Sequence, residues 1–140
     1  MPEESKRYFT REGAERLIPR LQALMGRIKE CHAVTGQLRG ALQEAQRQVM
    51  LSGGARLDPE FWRSRKTELA RVTAELQERI GEILKMGAVP KDLELGLVDF
   101  PALIDEREVN LCWRLGEERI RFWHGLDEGY AGRKPLPSEG

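Results

Sequence analysis

Apolar residues in this chain first follow a 4-3 spacing and later a strict alternation, which predicts helices followed by strands. Leu17, Leu21, Leu24, Ile28, Cys31, Thr35, Leu38, Leu42, Ala45 and Val49 form a heptad seam in which only Thr35 is clearly polar. A stripe this regular marks a long helix packed against a second one. Thr10 offers an N-cap hydroxyl, and the helix is predicted over 10–51 with a kink at Pro19, which removes a ladder hydrogen bond. Gly26, Gly36 and Gly40 lie off the seam. Each costs about 1 kcal/mol relative to alanine, and leucine burial at roughly 1.5–3 kcal/mol per side chain offsets this. Ser52-Gly53-Gly54-Ala55 reads as a loop, after which a second helix is predicted over 58–87. Asp58 can cap it, Pro59 suits its first position, and Glu60 complements its dipole. Its stripe is Trp62, Leu69, Val72, Leu76, Ile80 and Ile83, and Gly87 and Pro90 stop it.

Folding back at the glycine pair sets Val49 against Trp62, Leu42 against Leu69, Thr35 against Leu76 and Ile28 against Ile83. The second helix then runs out near Leu24, leaving Leu17 and Leu21 for the rest of the chain to cover. Ile18, Met25 and Val34 lie beside the seam and widen its apolar stripe. Two helices cannot enclose both flanks of a long seam, so a homodimer or a protein partner on the hairpin is expected.

Beyond Pro90 the period changes to two. Val98, Phe100, Ala102 and Ile104 alternate, Asp105–Glu108 turns, Val109, Leu111, Trp113 and Leu115 alternate, and Gly116-Glu117-Glu118 turns again before Ile120, Phe122 and His124. This predicts a three-stranded antiparallel meander over 94–125. The expected register sets Ile104 opposite Val109, Phe100 opposite Trp113 and Leu115 opposite Ile120, with His124 on the apolar face opposite Leu111. On the other face Asp99 is expected opposite Arg114, Arg114 opposite Arg121, and Cys112 opposite Trp123. A carboxylate flanked by guanidiniums is either a salt-bridge row or one side of an anion-binding surface. The stretch 129–140 is expected to be an extended tail, with Tyr130 as an anchor and Arg133 reaching an acidic group, or a frayed end. The fold class expected is α+β: a long, coiled-coil-like antiparallel helical hairpin with a small C-terminal meander, in one domain over 1–140.

With 140 residues the chain is long enough for one such core. Its 23 basic and 23 acidic residues cancel, which argues against a general pull toward nucleic acid or an anionic membrane. Residues 1–57 carry a net +4 and residues 91–140 a net −4, an asymmetry that fits solvated surface. The arginines and lysine along the first helix are interrupted by Glu12, Glu15, Glu30 and Glu44, so nucleic-acid binding is not expected. No apolar run suits a membrane span or a signal peptide, and a cytoplasmic location is expected. Cys31 and Cys112 are too isolated for a disulfide framework or a cysteine-rich zinc site.

Little in the sequence points to catalysis. The four serines lack a nucleophile-elbow setting, no glycine pattern forms a phosphate loop, and Cys31 belongs to the seam. Cys112 lies beside arginines, which can lower a thiol pKa. His32 and His124 have no metal-ligand spacing. A composite site of Asp99, Cys112, His124 and Asp127 would have to gather residues from both faces of the expected sheet. No catalytic residue, metal or cofactor is therefore assigned, and the candidate binding residues are Asp99, Arg114, Arg121, His124 and Arg133.

The runs Lys91-Asp92-Leu93-Glu94-Leu95-Gly96-Leu97-Val98-Asp99-Phe100-Pro101, Leu111-Cys112-Trp113-Arg114-Leu115-Gly116-Glu117, Phe122-Trp123-His124 and Gly129-Tyr130-Ala131-Gly132-Arg133 are distinctive. Together with Tyr8-Phe9-Thr10 and Leu17-Ile18-Pro19-Arg20-Leu21 they resemble an uncharacterised bacterial domain-of-unknown-function family over nearly the whole chain. The resemblance implies a small bacterial cytoplasmic protein and supplies no activity. The leading expectation is a non-catalytic interaction or assembly module that works through the hairpin, by architectural analogy. The rival is a small-ligand or metal site, even an enzyme, on the C-terminal β module, where polar and aromatic motif residues are dense.

Overall fold

A computed structural model of the protein describes residues 7–137. Thr10 caps a short helix, α1 (Arg11–Glu15), by accepting the Gly13 amide at 2.9 Å. The chain turns at Arg16 and Leu17 and enters α2 (Ile18–Leu51). The expected continuous helix over 10–51 is thus two helices. Pro19 falls in the first turn of α2, where a missing N–H costs nothing, so the discontinuity precedes the proline. Helix α3 (Pro59–Lys85) is capped by Asp58 through the Phe61 amide and ends ahead of Gly87, whose φ of 94° closes the C-terminus. It runs antiparallel to α2. Arg20 pairs with Glu82 and Arg27 with Glu75, one heptad apart on each helix.

Burial along the seam changes at its middle. Leu21, Leu24, Ile28, Cys31 and Thr35 are buried, whereas Leu38, Leu42, Ala45 and Val49 are half-buried. The difference arises because the sheet covers only the first part of α2. That sheet has five strands rather than three: β1 (Val89–Asp92), β2 (Leu97–Ile104), β3 (Arg107–Arg114), β4 (Phe122–Gly125) and β5 (Lys134–Pro135), antiparallel and in sequence order. Its inner face carries Val98, Phe100, Val109, Leu111 and Trp113, which pack with Leu21, Leu24, Met25, Ile28 and Ile83 in one core. The sheet therefore docks on the hairpin end that the helix lengths leave uncovered. Ile18 and Met25 are buried in this core, so they do not widen a free surface. Phe9 adds an edge-to-face contact with Phe100 at 5.1 Å, and its amide bonds the Pro101 carbonyl.

Both expected registers are corrected. The β2–β3 connection is a two-residue turn at Asp105 and Glu106, both at positive φ, so Ile104 pairs with Arg107 and Val98 with Trp113. This is a shift of two, which keeps each face and changes the partners. Asp99 lies opposite Cys112, and Arg114 opposite Leu97. The β3–β4 shift is one residue, which exchanges the faces: Cys112 pairs with Phe122, Leu111 with Trp123 and Asn110 with His124. Its cause lies at Ile120, which belongs to a loop rather than a strand. The Ile120 amide donates to Glu15 Oε2 at 2.9 Å, and its carbonyl accepts from Arg11 Nε at 2.8 Å. The side chain is buried in the core without extending the alternation. The expected tail contains a 3₁₀ turn at Tyr130–Gly132 and then β5; its last residues, 138–140, lie outside the described residues.

Candidate metal centre

The register of β4 decides the chemistry. His124 leaves the apolar face and joins Asp99 of β2 and Cys112 of β3 on the outer face, where all three side chains are buried. One ligand-type atom from each residue lies within 4.8 Å of the others. The composite site that the expected sheet scattered over two faces is thus gathered on one. Asp127 is not part of it, since it is exposed and lines a separate depression with Arg107 and Lys134.

The imidazole is held at both nitrogens: Nδ1 is 2.9 Å from the Gly125 carbonyl and Nε2 is 3.0 Å from Asp99 Oδ1. A carbonyl can only accept, so Nδ1 carries a hydrogen, and in the neutral ring the lone pair on Nε2 faces the Asp99–Cys112 side. An imidazole oriented by an Nδ1–H bond to a backbone carbonyl is a common arrangement of a metal-ligating histidine. The second oxygen of Asp99, Oδ2, is buried without a hydrogen-bond partner among the described residues, although the Cys112 thiol also interacts with the Asp99 carboxyl. Burial raises the Asp99 carboxyl above the usual range, opposed by His124 and Lys91. Burial also pushes the Cys112 thiol up to about 11, opposed by Arg133 and reinforced by Asp99. The expectation that arginines activate Cys112 is therefore overturned, because desolvation outweighs them. Each ring nitrogen thus has its nearest polar partner outside Cys112: the Gly125 carbonyl for Nδ1 and Asp99 Oδ1 for Nε2.

These atoms line a pocket of about 300 Å³ with Lys91, Asp92, Asn110, Leu95, Leu126 and Tyr130 among its walls. A bulge between Pro90 and Asp92 in β1 turns both Lys91 and Asp92 toward it. The acidic wall residues are already engaged. Asp92 Oδ1 accepts the Glu94 and Leu95 amides at 2.9 and 2.7 Å, and Glu128 Oε1 accepts the Gly125 amide and Lys134. Lys91 and Asn110 have no side-chain bond among the described residues.

Two of the other sequence candidates, Arg114 and Arg133, buttress this pocket. Arg114 donates to the Tyr130 hydroxyl at 3.0 Å. Arg133 stacks on Phe122 and Tyr130, its guanidinium 4.0 and 4.9 Å from their ring centres, and bonds Glu117 and the Cys112 carbonyl. Both arginines hold the 3₁₀ turn that forms one wall. Arg121 is exposed and does not line the pocket, and the expected row of Arg121, Arg114 and Asp99 does not form. Of the candidate residues, only Asp99 and His124 come together. Lys91 and Asn110 were missed; Lys91 lies in a motif stretch, but no sequence signal marks the bulge that aims it.

A hairpin docked on a five-stranded antiparallel sheet, with a buried Asp-Cys-His trio on the sheet's open face, defines the class of this protein. A family model described as "Uncharacterized conserved protein (DUF2203)" matches residues 7–136, and the chain belongs to that family. No curated protein and no solved structure matches it. Among the described residues, no helix is long and apolar enough to cross a membrane.

Proposed function

We propose that this is a metal-binding protein that holds one transition-metal dication through Asp99, Cys112 and His124 at the floor of the outer-face pocket. The observation that carries the reading is the unpartnered, buried Oδ2 of Asp99 beside a thiol and an oriented imidazole. Mixed sulfur, nitrogen and oxygen donors suit zinc and its neighbours rather than magnesium or calcium. Three protein ligands leave a fourth position open to the pocket, as in catalytic rather than structural zinc sites. Two free, buried cysteines accord with a reducing bacterial cytoplasm, the location proposed here.

The test is titration of the metal-free protein with Zn²⁺ and Co²⁺, read by native mass spectrometry and by the thiolate-to-cobalt charge-transfer band. One ion per chain is expected, with the band lost in Cys112→Ser and binding weakened roughly tenfold or more in Asp99→Asn and His124→Ala. Circular dichroism of each variant without metal controls for folding. A wild-type protein that retains no ion, or binding that survives all three substitutions, would sink the reading.

A second reading places a protein contact on the hairpin. It is favoured by Met50, Leu51 and Leu57, which are 73%, 69% and 58% exposed at the hairpin turn. Sedimentation velocity tests self-association there. A concentration-independent monomer at tens of micromolar removes the homodimer.

A further inference from the structure

The geometry points to the kind of ligand this centre takes: a small carboxylic acid with an apolar body, whose carboxylate fills the open metal position and pairs with Lys91. This inference rests on the metal reading above. An open position on a borderline dication accepts an oxygen or nitrogen lone pair, and an anion gains most there. Among the described residues, Lys91 is the one Lys or Arg lining the pocket and has no side-chain hydrogen bond, and its charge acts on Asp99. Asn110, opposite His124 in the β3–β4 pairing and also without a side-chain bond among the described residues, can donate to a second carboxylate oxygen. The acidic wall residues cannot serve a cationic ligand equally well. Backbone amides already take one oxygen of Asp92, and an amide and Lys134 take one of Glu128.

The rest of the wall is apolar. Leu95 and Leu126 are 37% and 53% exposed at the pocket, and Tyr130 presents its ring beside them. Leu126 belongs to no core cluster among the described residues, which leaves its side chain free to meet a ligand body. The volume of about 300 Å³ lies at the small end of ligand pockets.

The experiment uses the cobalt-loaded full chain, with its visible spectrum as the readout. Acetate, benzoate, phenylacetate and inorganic phosphate are the probes. Benzoate or phenylacetate is expected to shift the cobalt bands with saturation, and to bind at least about tenfold more tightly than acetate. Lys91→Met should weaken benzoate roughly tenfold while leaving cobalt stoichiometry unchanged, and Lys91→Arg should restore most of it. Cobalt bound normally with no response to either aromatic acid overturns this inference and leaves the metal reading standing. So does a response equal in Lys91→Met, or phosphate preferred over benzoate. Failure of cobalt to bind at all overturns both.

Discussion

His124 Nε2 lies 3.0 Å from Asp99 Oδ1 while the same ring's Nδ1 is committed to the Gly125 carbonyl at 2.9 Å. The Cys112 thiol, raised to about 11, carries its proton at neutral pH. A dication bound by Nε2, carboxylate and thiolate has to displace that proton.

Metal binding near pH 7 is therefore expected to release the thiol proton, about one per ion, and affinity should rise with pH. Potentiometric or dye-based titration in weakly buffered solution measures this directly. In Cys112→Ser, any residual binding should release about one proton fewer than in wild type. A release near zero would show that these groups are not the ligands.

The raised Cys112 thiol also has a consequence for stability without metal. Its folded value of about 11 exceeds the ordinary 9.0, so the folded protein holds the proton more tightly than the unfolded chain. The contribution is fully present below pH 9 and is lost as pH rises through about 11. The loss amounts to roughly 2–3 kcal/mol, since each pKa unit corresponds to about 1.4 kcal/mol. Urea unfolding near pH 8 and again near pH 10.5 should show a smaller alkaline loss in Cys112→Ala than in wild type, whatever the absolute cost of the cavity. Equal losses would mean that the thiol is not raised.

The helical half was legible because a heptad seam is a long, redundant signal: Leu21, Leu24 and Ile28 are buried where the 4-3 spacing places them. The sheet was legible only where strands were long. Val89–Asp92 contains a proline and a bulge, and Lys134–Pro135 is two residues, so neither displays alternation. The face of His124 was illegible for a different reason. Ile120 is buried like a strand residue, yet α1 side chains hold its backbone in a loop. Counting by two from Ile120 to His124 therefore reaches the wrong face. A long-range contact from Arg11 and Glu15 sets the parity of a strand over a hundred residues away, and no local pattern encodes it.

The β1–β2 turn that shapes the pocket rests on Gly96. Its φ is +76°, its amide bonds the Asp92 carbonyl, and an added Cβ would lie 2.7 Å from Leu115 Cβ. Gly96→Ala should cost at least about 2 kcal/mol, from left-handed strain plus the clash. Gly53, with φ +63° and open space around it, carries the strain alone. Gly53→Ala should then cost roughly 1–2 kcal/mol. Denaturant midpoints with unchanged slopes measure both, and equal costs would remove the steric part of the argument.

The uneven burial of the seam makes the two halves of α2 energetically different. Leu21 is fully buried between hairpin and sheet, whereas Leu42 is half-buried where no strand reaches. Leu21→Ala should lose about 3–5 kcal/mol, because it leaves a cavity in a region that packed strands prevent from collapsing. Leu42→Ala should lose on the order of 1 kcal/mol in an isolated chain, since water already reaches one side of the leucine. The contrast also tests the second reading of the hairpin. If a partner copy covers the distal seam in solution, Leu42→Ala becomes as costly as Leu21→Ala, and its cost falls on dilution as the partner dissociates. A cost for Leu42→Ala that stays near 1 kcal/mol at every protein concentration assigns that surface to solvent.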